Sequence, residues 1–139
     1  MIQFTSHGIP FQLRNKSKVK QWIREILVSE GKQAGELAFV FCDDAYLAEM
    51  NLRYLNHTTL TDIITFDYSE KKALSGDILI SIDRVQDNSE KYSTTFNDEL
   101  GRVMAHGVLH LIGYNDKTTE QKVEMRDREE KYKRSFPNR

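Results

Sequence analysis

Apolar residues recur along this 139-residue chain at two spacings, one typical of strands and the other typical of helices. Near the N-terminus, Ile2 and Phe4 alternate with polar residues, and the pattern resumes at Phe11 and Leu13 after a turn at 7–10. These residues predict a strand, a turn and a second extended piece. Three further strands are predicted where short apolar or β-branched runs lie between polar turns, at 36–42, 61–66 and 76–81.

Between the strands, apolar residues follow one another every three or four positions, as on the buried face of a helix. The first such stripe, before Gly31, comprises Val19, Trp22, Ile23, Ile26 and Leu27. Five helices are predicted in all, with starts at Asn15 or Ser17, Asp43, about Asp83, Asn97, and Thr118 or Thr119. Strands intermixed with helices, with one hairpin, predict a single α+β domain over residues 1–139, with helices packed on a small mixed sheet.

One stretch of the fourth predicted helix combines metal-binding side chains. His106 and His110 are four residues apart, so both imidazoles project from nearly the same helix face. Gly113 stands where a left-handed C-terminal cap is usually found, and it allows the chain to return so that Asp116 comes within reach. Three protein ligands leave a coordination position open for water, as in catalytic zinc sites. The pattern predicts a metal-dependent hydrolase whose site lies on this helix and the following loop.

The histidine pair alone has a simpler interpretation. Two histidines at this spacing can be partly buried residues bonded to backbone carbonyls, without a metal. Gly113 and Asp116, at the offsets that a return loop requires, favour the metal. The remaining histidines, His7 and His57, show no partner pattern and are interpreted as turn or surface residues.

The offsets along this helix and loop match the zinc signature of metzincin proteases, with two differences. Asp116 replaces a third histidine, which keeps a donor but shifts the preference toward harder ions. Gly107 replaces the glutamate that acts as general base in those proteases, and this argues against peptide hydrolysis. A metallopeptidase stays an alternative, because the strand at 76–81 is one along which a peptide could lie.

The composition predicts a soluble, cytoplasmic protein. The N-terminus has neither a basic segment nor a continuous apolar run, so no secretory signal is predicted. No segment approaches the roughly 20 apolar residues needed to span a bilayer. The single cysteine, Cys42, has no partner for an internal disulfide, which fits a reducing compartment, and it follows an apolar run as a core residue would.

The net charge of −1 says little about partners, because binding to a polyanion depends on where the charges lie. One basic segment could contact phosphates, or it could be the solvated face of a helix. It comprises Arg14, Lys16, Lys18, Lys20 and Arg24. The last predicted helix carries acid-first pairs four residues apart, such as Glu124 with Arg128, and is interpreted as an exposed charged face.

Three segments together resemble the YbeY endoribonucleases, also called ribosomal RNA maturation factors. They are the run from His106 to Tyr114 and the strands at 61–66 and 76–81, whose order and spacing are similar to the family's. The resemblance implies an endoribonuclease specific for single-stranded RNA that depends on zinc, one ion per chain, with another divalent metal as an alternative. It implies a cytoplasmic role in small-subunit ribosomal RNA 3′-end maturation and ribosome quality control, with the ribosome or small-subunit assembly factors as partners and no membrane.

Residue by residue, the resemblance assigns His106 and His110 to the first two metal ligands and Asp116 to the third, where most members have histidine. Where many members have an arginine, shortly before the Thr-Asp strand, this chain has Leu55, so the role of that arginine cannot be transferred. Arg53 lies nearby and, with the basic segment, is a candidate RNA contact.

Two routes to RNA cleavage stay open from the sequence. A metal-bound water with its pKa lowered toward ~7 can attack without a separate base, or the adjacent 2′-hydroxyl of the RNA can attack. Asp62 is a candidate contact to a ligand or to substrate, and equally a strand-end residue bonded to a turn. The alternative to catalysis is a ribosome-assembly factor that the metal only stabilises, in which a fourth protein ligand would replace the water.

Overall fold

Strands and helices intermix in the computed structural model, which describes residues 1–71 and 73–139. In chain order the elements are β1 (Ile2–Ser6), α1 (Lys16–Ser29), β2 (Gln33–Cys42), α2 (Asp44–Leu55), β3 (Ile63–Asp67), β4 (Ala73–Ser81), α3 (Ile82–Lys91), α4 (Phe96–Ile112) and α5 (Thr119–Lys133). The four predicted strands and five predicted helices are all present, with ends that differ by a few residues.

The four strands form one mixed sheet in the order β1-β2-β4-β3. β1, β2 and β4 are parallel, whereas β3 pairs antiparallel with β4 and lies at the sheet edge. Because successive side chains point to opposite faces of a strand, β2 supplies Phe39 and Phe41 to one apolar layer and Cys42 to the other. The predicted α+β class, mixed sheet and hairpin are confirmed.

The larger apolar layer lies between the sheet and the helices α1 and α4, with α5 packed on α4, and it contains the stripe predicted for the first helix. Trp22 of that stripe is buried and donates its indole N–H to the Tyr132 carbonyl at 2.9 Å. The smaller layer lies under α2 and includes Cys42 and Leu47. Burial, together with nearby carboxylates, raises the pKa of the Cys42 thiol to about 12, so it is a core residue rather than a nucleophile.

Most helix starts follow the capping rule, but α1 does not, because Asn15 is its N-cap residue and the Asn15 side chain makes no capping hydrogen bond. Asp43 caps α2 as predicted, since its side chain accepts a hydrogen bond from the Tyr46 N–H. α4 begins before the predicted cap at Asn97, because Thr95 accepts a hydrogen bond from the Asp98 N–H at 3.0 Å. In the described residues, no helix combines the length and the apolar content that a membrane crossing requires.

The structure locates one predicted extended segment and corrects the expectation about another. The piece around Phe11 and Leu13 lies outside the sheet; the Phe11 ring packs 5.0 Å from that of Phe41, and Leu13 is buried. The strand at 76–81 offers no free edge, because β4 is hydrogen-bonded to β2 on one side and to β3 on the other. A peptide therefore cannot extend the sheet along β4, which removes that support for a peptidase.

Gly107 of α4 lies against the sheet. A Cβ atom at this position would come within 2.8 Å of Ile63 Cδ1 and 2.9 Å of Ile78 Cγ2. A glutamate at 107 would therefore overlap the sheet and bury a charge without a partner. The difference from the metzincin signature has a packing cause, because this position faces the core.

Candidate metal centre

A cleft of about 520 Å³ opens beside the edge strand β3, where α4, the end of α2 and the loop after α2 also contribute side chains. The three predicted metal ligands, His106, His110 and Asp116, border it. Asp62, which immediately precedes β3, borders the same cleft. The structure thus brings these four residues together in one concave site.

His106 is held by a carboxylate from α5. Its Nδ1–H donates to Glu129 Oε2 at 2.5 Å, and the His106 side chain is only 18% exposed. An ionised carboxylate can only accept, so the proton of the neutral imidazole is on Nδ1 and the lone pair of Nε2 is free. Nε2 lies 3.6 Å from Asp116 Oδ2. A carboxylate behind the ring is the usual support of a metal-binding histidine.

His110 is held in the same tautomer by the backbone. Its Nδ1–H donates to the Tyr114 carbonyl oxygen at 3.2 Å. The helix ends at Gly113, whose φ of +124° suits glycine, and this turn brings the Tyr114 carbonyl back toward the last helical turn. The two imidazole rings are 9° from parallel, with centroids 6.2 Å apart. Both rings therefore keep Nε2 free for a ligand.

Two imidazoles and a carboxylate are donors that suit a divalent cation, and one distance between two of these donors also suits it. Two donors about 2.1 Å from one tetrahedral zinc ion are roughly 3.4 Å apart, close to the 3.6 Å between His106 Nε2 and Asp116 Oδ2. Across residues 1–71 and 73–139, no three His, Cys, Asp or Glu side chains are close enough to hold an ion as they stand. Asp116 is 45% exposed on its loop, so a side-chain adjustment can complete the three-ligand set with His110.

Arg102 lies one helical turn before His106 on α4 and organises the carboxylates around it. It donates to Glu99 at 3.0 and 2.5 Å and to Glu129 at 3.0 Å, and its Nη2 is 3.6 Å from Asp62. Arg102 therefore holds the carboxylate that supports His106. Because three carboxylates surround it, Arg102 is already paired and is not an uncommitted cation for phosphate.

These contacts shift two pKa values in opposite directions. Burial lowers the pKa of His106, but the hydrogen bond and charge of Glu129, with the charges of Asp116 and Asp62, outweigh burial and raise the pKa above its ordinary value. Burial raises the pKa of Glu129, but His106 and Arg102 outweigh it, so the pKa is lowered. The site therefore favours a positive charge near Glu129. A proton on His106 can supply this charge, and so can a metal cation bound in place of that proton.

The predicted RNA contacts lie outside the cleft. In the described part of the chain its border includes none of Arg14, Lys16, Lys18, Lys20, Arg24 and Arg53. Lys16 borders a separate cleft near Phe11, at the N-terminal end of α1. Arg53 is exposed on α2 and pairs with Glu49 at 3.2 Å. The geometry of the cleft does not support phosphate contacts from these residues next to the predicted metal ligands. Leu55, by contrast, borders the cleft.

Sequence reasoning missed Arg102 and Glu129. The sequence pattern could have identified Arg102 as a site residue. Arg102, His106 and His110 are spaced four apart and form a polar row on an otherwise apolar helix. Glu129 had a weaker signal, since it shares the buried face of α5 with Met125 and Tyr132. An acidic residue on a buried helix face needs a partner, and that partner lies on another element.

Comparisons with known proteins give one consistent result. The family model described as Endoribonuclease YbeY matches residues 2–137. The chain is 45% identical to the endoribonuclease YbeY of Flavobacterium psychrophilum over 136 residues, which cover 98% of this chain and 96% of the relative. It is 48% identical to that of Cytophaga hutchinsonii, with 93% and 91% covered. A solution structure of a Thermotoga maritima protein shares the fold, with a TM-score of 0.68 and 24% identity, covering 98% of this chain and 89% of that chain.

Proposed function

This chain belongs to the Endoribonuclease YbeY family and is an endoribonuclease, and we propose that it cleaves single-stranded RNA in a zinc-dependent reaction. The proposed ligands of one ion per chain are His106, His110 and Asp116, with another divalent metal as the alternative. One observation carries the proposal: both imidazoles are fixed in the tautomer that leaves Nε2 free, and one Nε2 lies beside the Asp116 carboxylate.

Each residue of the centre has a separate task in this proposal. A zinc ion, when bound, supplies Lewis acidity and lowers the pKa of its water. Glu129 orients His106, and Arg102 orients Glu129. Asp62, at the border of the cleft and 3.6 Å from Arg102, is the proposed substrate contact.

The cleft suits RNA better than it suits a peptide. Gly107 supplies no carboxylate for a metzincin-type general base, and packing against the sheet leaves no room for one. The hydroxyl groups of Thr59 and Thr61 border the cleft and can bind base edges and 2′-hydroxyls, whereas the buried Asn51 amide donates to the Thr59 carbonyl. The edges of RNA bases are accessible to such side chains when the bases are unpaired, which favours a single strand as substrate.

The proposed biological substrate is ribosomal RNA. The resemblance of the three sequence segments implies a role in maturing the 3′ end of small-subunit ribosomal RNA and in ribosome quality control, and family membership supports the endoribonuclease activity that this role needs. The proposed location is the cytoplasm, where the ribosome or small-subunit assembly factors would be partners.

Metal analysis combined with an RNA cleavage assay tests the proposal. The purified protein is expected to hold one zinc ion per chain and to cut a single-stranded oligonucleotide but not the same sequence in a duplex. His110→Ala is expected to lose both the zinc and the cleavage, because it removes a ligand while leaving the pair of His106 with Glu129 intact. The matched control is His7→Ala, since His7 stacks on Tyr46 and does not border the cleft.

Two results would contradict the proposal in different ways. Undiminished cleavage by His110→Ala, or by protein stripped with a chelator, would remove zinc from the reaction. If the protein binds one zinc ion per chain but cleaves no RNA, the result would favour the alternative of a ribosome-assembly factor that the metal only stabilises. Analysis of the product ends separates the two chemical routes, because attack by the 2′-hydroxyl leaves a cyclic phosphate.

The basic segment of α1 is proposed to contact RNA only beyond the cleft. Replacing Lys16, Lys18 and Lys20 together by Gln is expected to leave the affinity for a short oligonucleotide unchanged. With a longer single strand, each lost phosphate contact should reduce the slope of log affinity against log salt by about 0.7. The control is an equal charge change elsewhere, at the exposed residues Lys91, Lys122 and Arg134. Identical slopes for the two triple variants on long RNA would show that the segment is only a solvated face.

A further inference from the structure

Glu30, the residue directly after α1, joins three parts of the fold. Its carboxylate accepts hydrogen bonds from the Tyr114 hydroxyl at 2.6 Å, from Arg128 Nη1 at 2.9 Å and from the Tyr132 hydroxyl. The Glu30 side chain is 8% exposed. Arg128 therefore pairs across the fold with Glu30, whereas the sequence predicts Glu124 as its partner. Charge-assisted hydrogen bonds in such a shielded place fix the groups that make them.

Tyr114 connects this carboxylate to the proposed metal ligands. It lies in the loop between Gly113 and Asp116, and its carbonyl accepts the hydrogen bond from His110 Nδ1 at 3.2 Å. The Arg128 guanidinium lies 4.8 Å from the centre of the Tyr114 ring. The ring is therefore held both at its hydroxyl and on its face.

The charges around Glu30 keep these hydrogen bonds in place. Burial raises the pKa of Glu30, but the hydrogen bonds from Tyr114 and Tyr132 and the charges of Arg128 and Lys131 outweigh it and lower the pKa. Burial and the neighbouring Glu30 raise the pKa of Tyr114 to about 12. Near neutral pH, Glu30 is thus an acceptor and Tyr114 a donor.

We propose that Glu30 is a positioning residue for the metal centre, acting through Tyr114 on His110 and on the loop that carries Asp116. Gly113 gives that loop a left-handed turn with wide conformational freedom, so a contact beyond the turn is needed to fix it. A ligand loop that is ordered beforehand loses less conformational entropy on binding, which strengthens binding. The inference rests on the proposed function, because it concerns the same three ligands.

Two tyrosine variants give a matched test. Tyr114→Phe and Tyr132→Phe each remove one hydroxyl that donates to the same carboxylate, but only Tyr114 belongs to the ligand loop. Zinc affinity is measured by competition with a chelator, and stability is measured by thermal unfolding of the apo protein. Tyr114→Phe and Glu30→Gln are expected to weaken zinc binding by about tenfold, whereas Tyr132→Phe should stay within about twofold of wild type even if it unfolds at a lower temperature.

A second measurement needs no metal. Ring nitrogen-15 shifts of His110 in the apo protein report its tautomer, which is expected to be Nδ1–H in wild type and in Tyr132→Phe but mixed in Tyr114→Phe. Equal zinc affinities for the two tyrosine variants, with His110 in one tautomer throughout, would overturn the inference while the proposed function stands. A wild-type protein that binds no zinc would overturn the proposed function, and this inference with it.

Discussion

Replacing Glu129 by alanine is expected to destabilise the apo protein by about 3 kcal/mol and to weaken zinc binding by roughly 10- to 100-fold. Glu129 is 4% exposed and bonds both His106 and Arg102. Its removal leaves the partly buried His106 Nδ1–H and one N–H group of Arg102 without their acceptor, and it frees the His106 ring to rotate. Urea unfolding and chelator competition measure the two effects.

The neighbouring glutamate provides the control. Glu130 is about half exposed and pairs with Lys133 one turn away on the same helix. Such a surface pair contributes roughly 1 kcal/mol or less, so Glu130→Ala should change stability little and zinc affinity not at all. Similar losses for the two alanine variants would mean that Glu129 has no special role at the metal centre.

The sequence predicted the elements well and grouped the three proposed ligands, which border one cleft in the structure, because those features are local. The stripe through Trp22 and Ile26 has the helical period, and burial confirms it. His106 and His110 share a face through helix geometry alone, and Gly113 marks the return of the chain. Each of these predictions depends on residues fewer than twelve apart, so no knowledge of packing is needed.

The supporting contacts could not be predicted because they depend on how helices pack. His106 meets Glu129 across 23 positions, and Arg128 meets Glu30 across 98 positions. On the sequence, Arg128 has an acidic neighbour four residues away, so local pairing is the simpler interpretation. Packing of α5 against α4 instead directs its one buried acidic residue, Glu129, to His106.

The charge balance at the centre explains why a cation suits it. Asp62, Glu99 and Glu129 lie around the guanidinium of Arg102, and a fourth carboxylate, that of Asp116, lies 3.6 Å from His106 Nε2. Carboxylates so close to one another repel unless positive charge is added. A divalent ion at the histidines offsets this excess and also makes the cleft less repulsive to the phosphates of RNA. Loss of the metal is therefore expected to weaken RNA binding as well as cleavage.

Substitution of Asp116 is expected to have the largest effect on the metal. Asp116→Ala removes the only proposed ligand outside α4, and it should weaken zinc binding by more than the roughly 100-fold upper range for loss of a supporting contact. Asp116→His should retain or strengthen zinc binding, because imidazole is an ordinary zinc donor and the loop after Gly113 allows either side chain to reach. Asn115→Ala, on the same exposed loop, is the control and should bind zinc as wild type does.

The two Asp116 variants, compared with wild type, also test why the proposed third ligand is a carboxylate. Carboxylate oxygen favours harder ions such as manganese or magnesium relative to imidazole, so wild type should show a smaller preference for zinc over manganese than Asp116→His does. Competition between the two metals for each protein measures this ratio. If Asp116→Ala binds zinc as tightly as wild type, Asp116 is not a ligand. If the ratio is equal in wild type and Asp116→His while Asp116→Ala is weak, the carboxylate binds the ion without setting its identity, and the harder-ion argument fails.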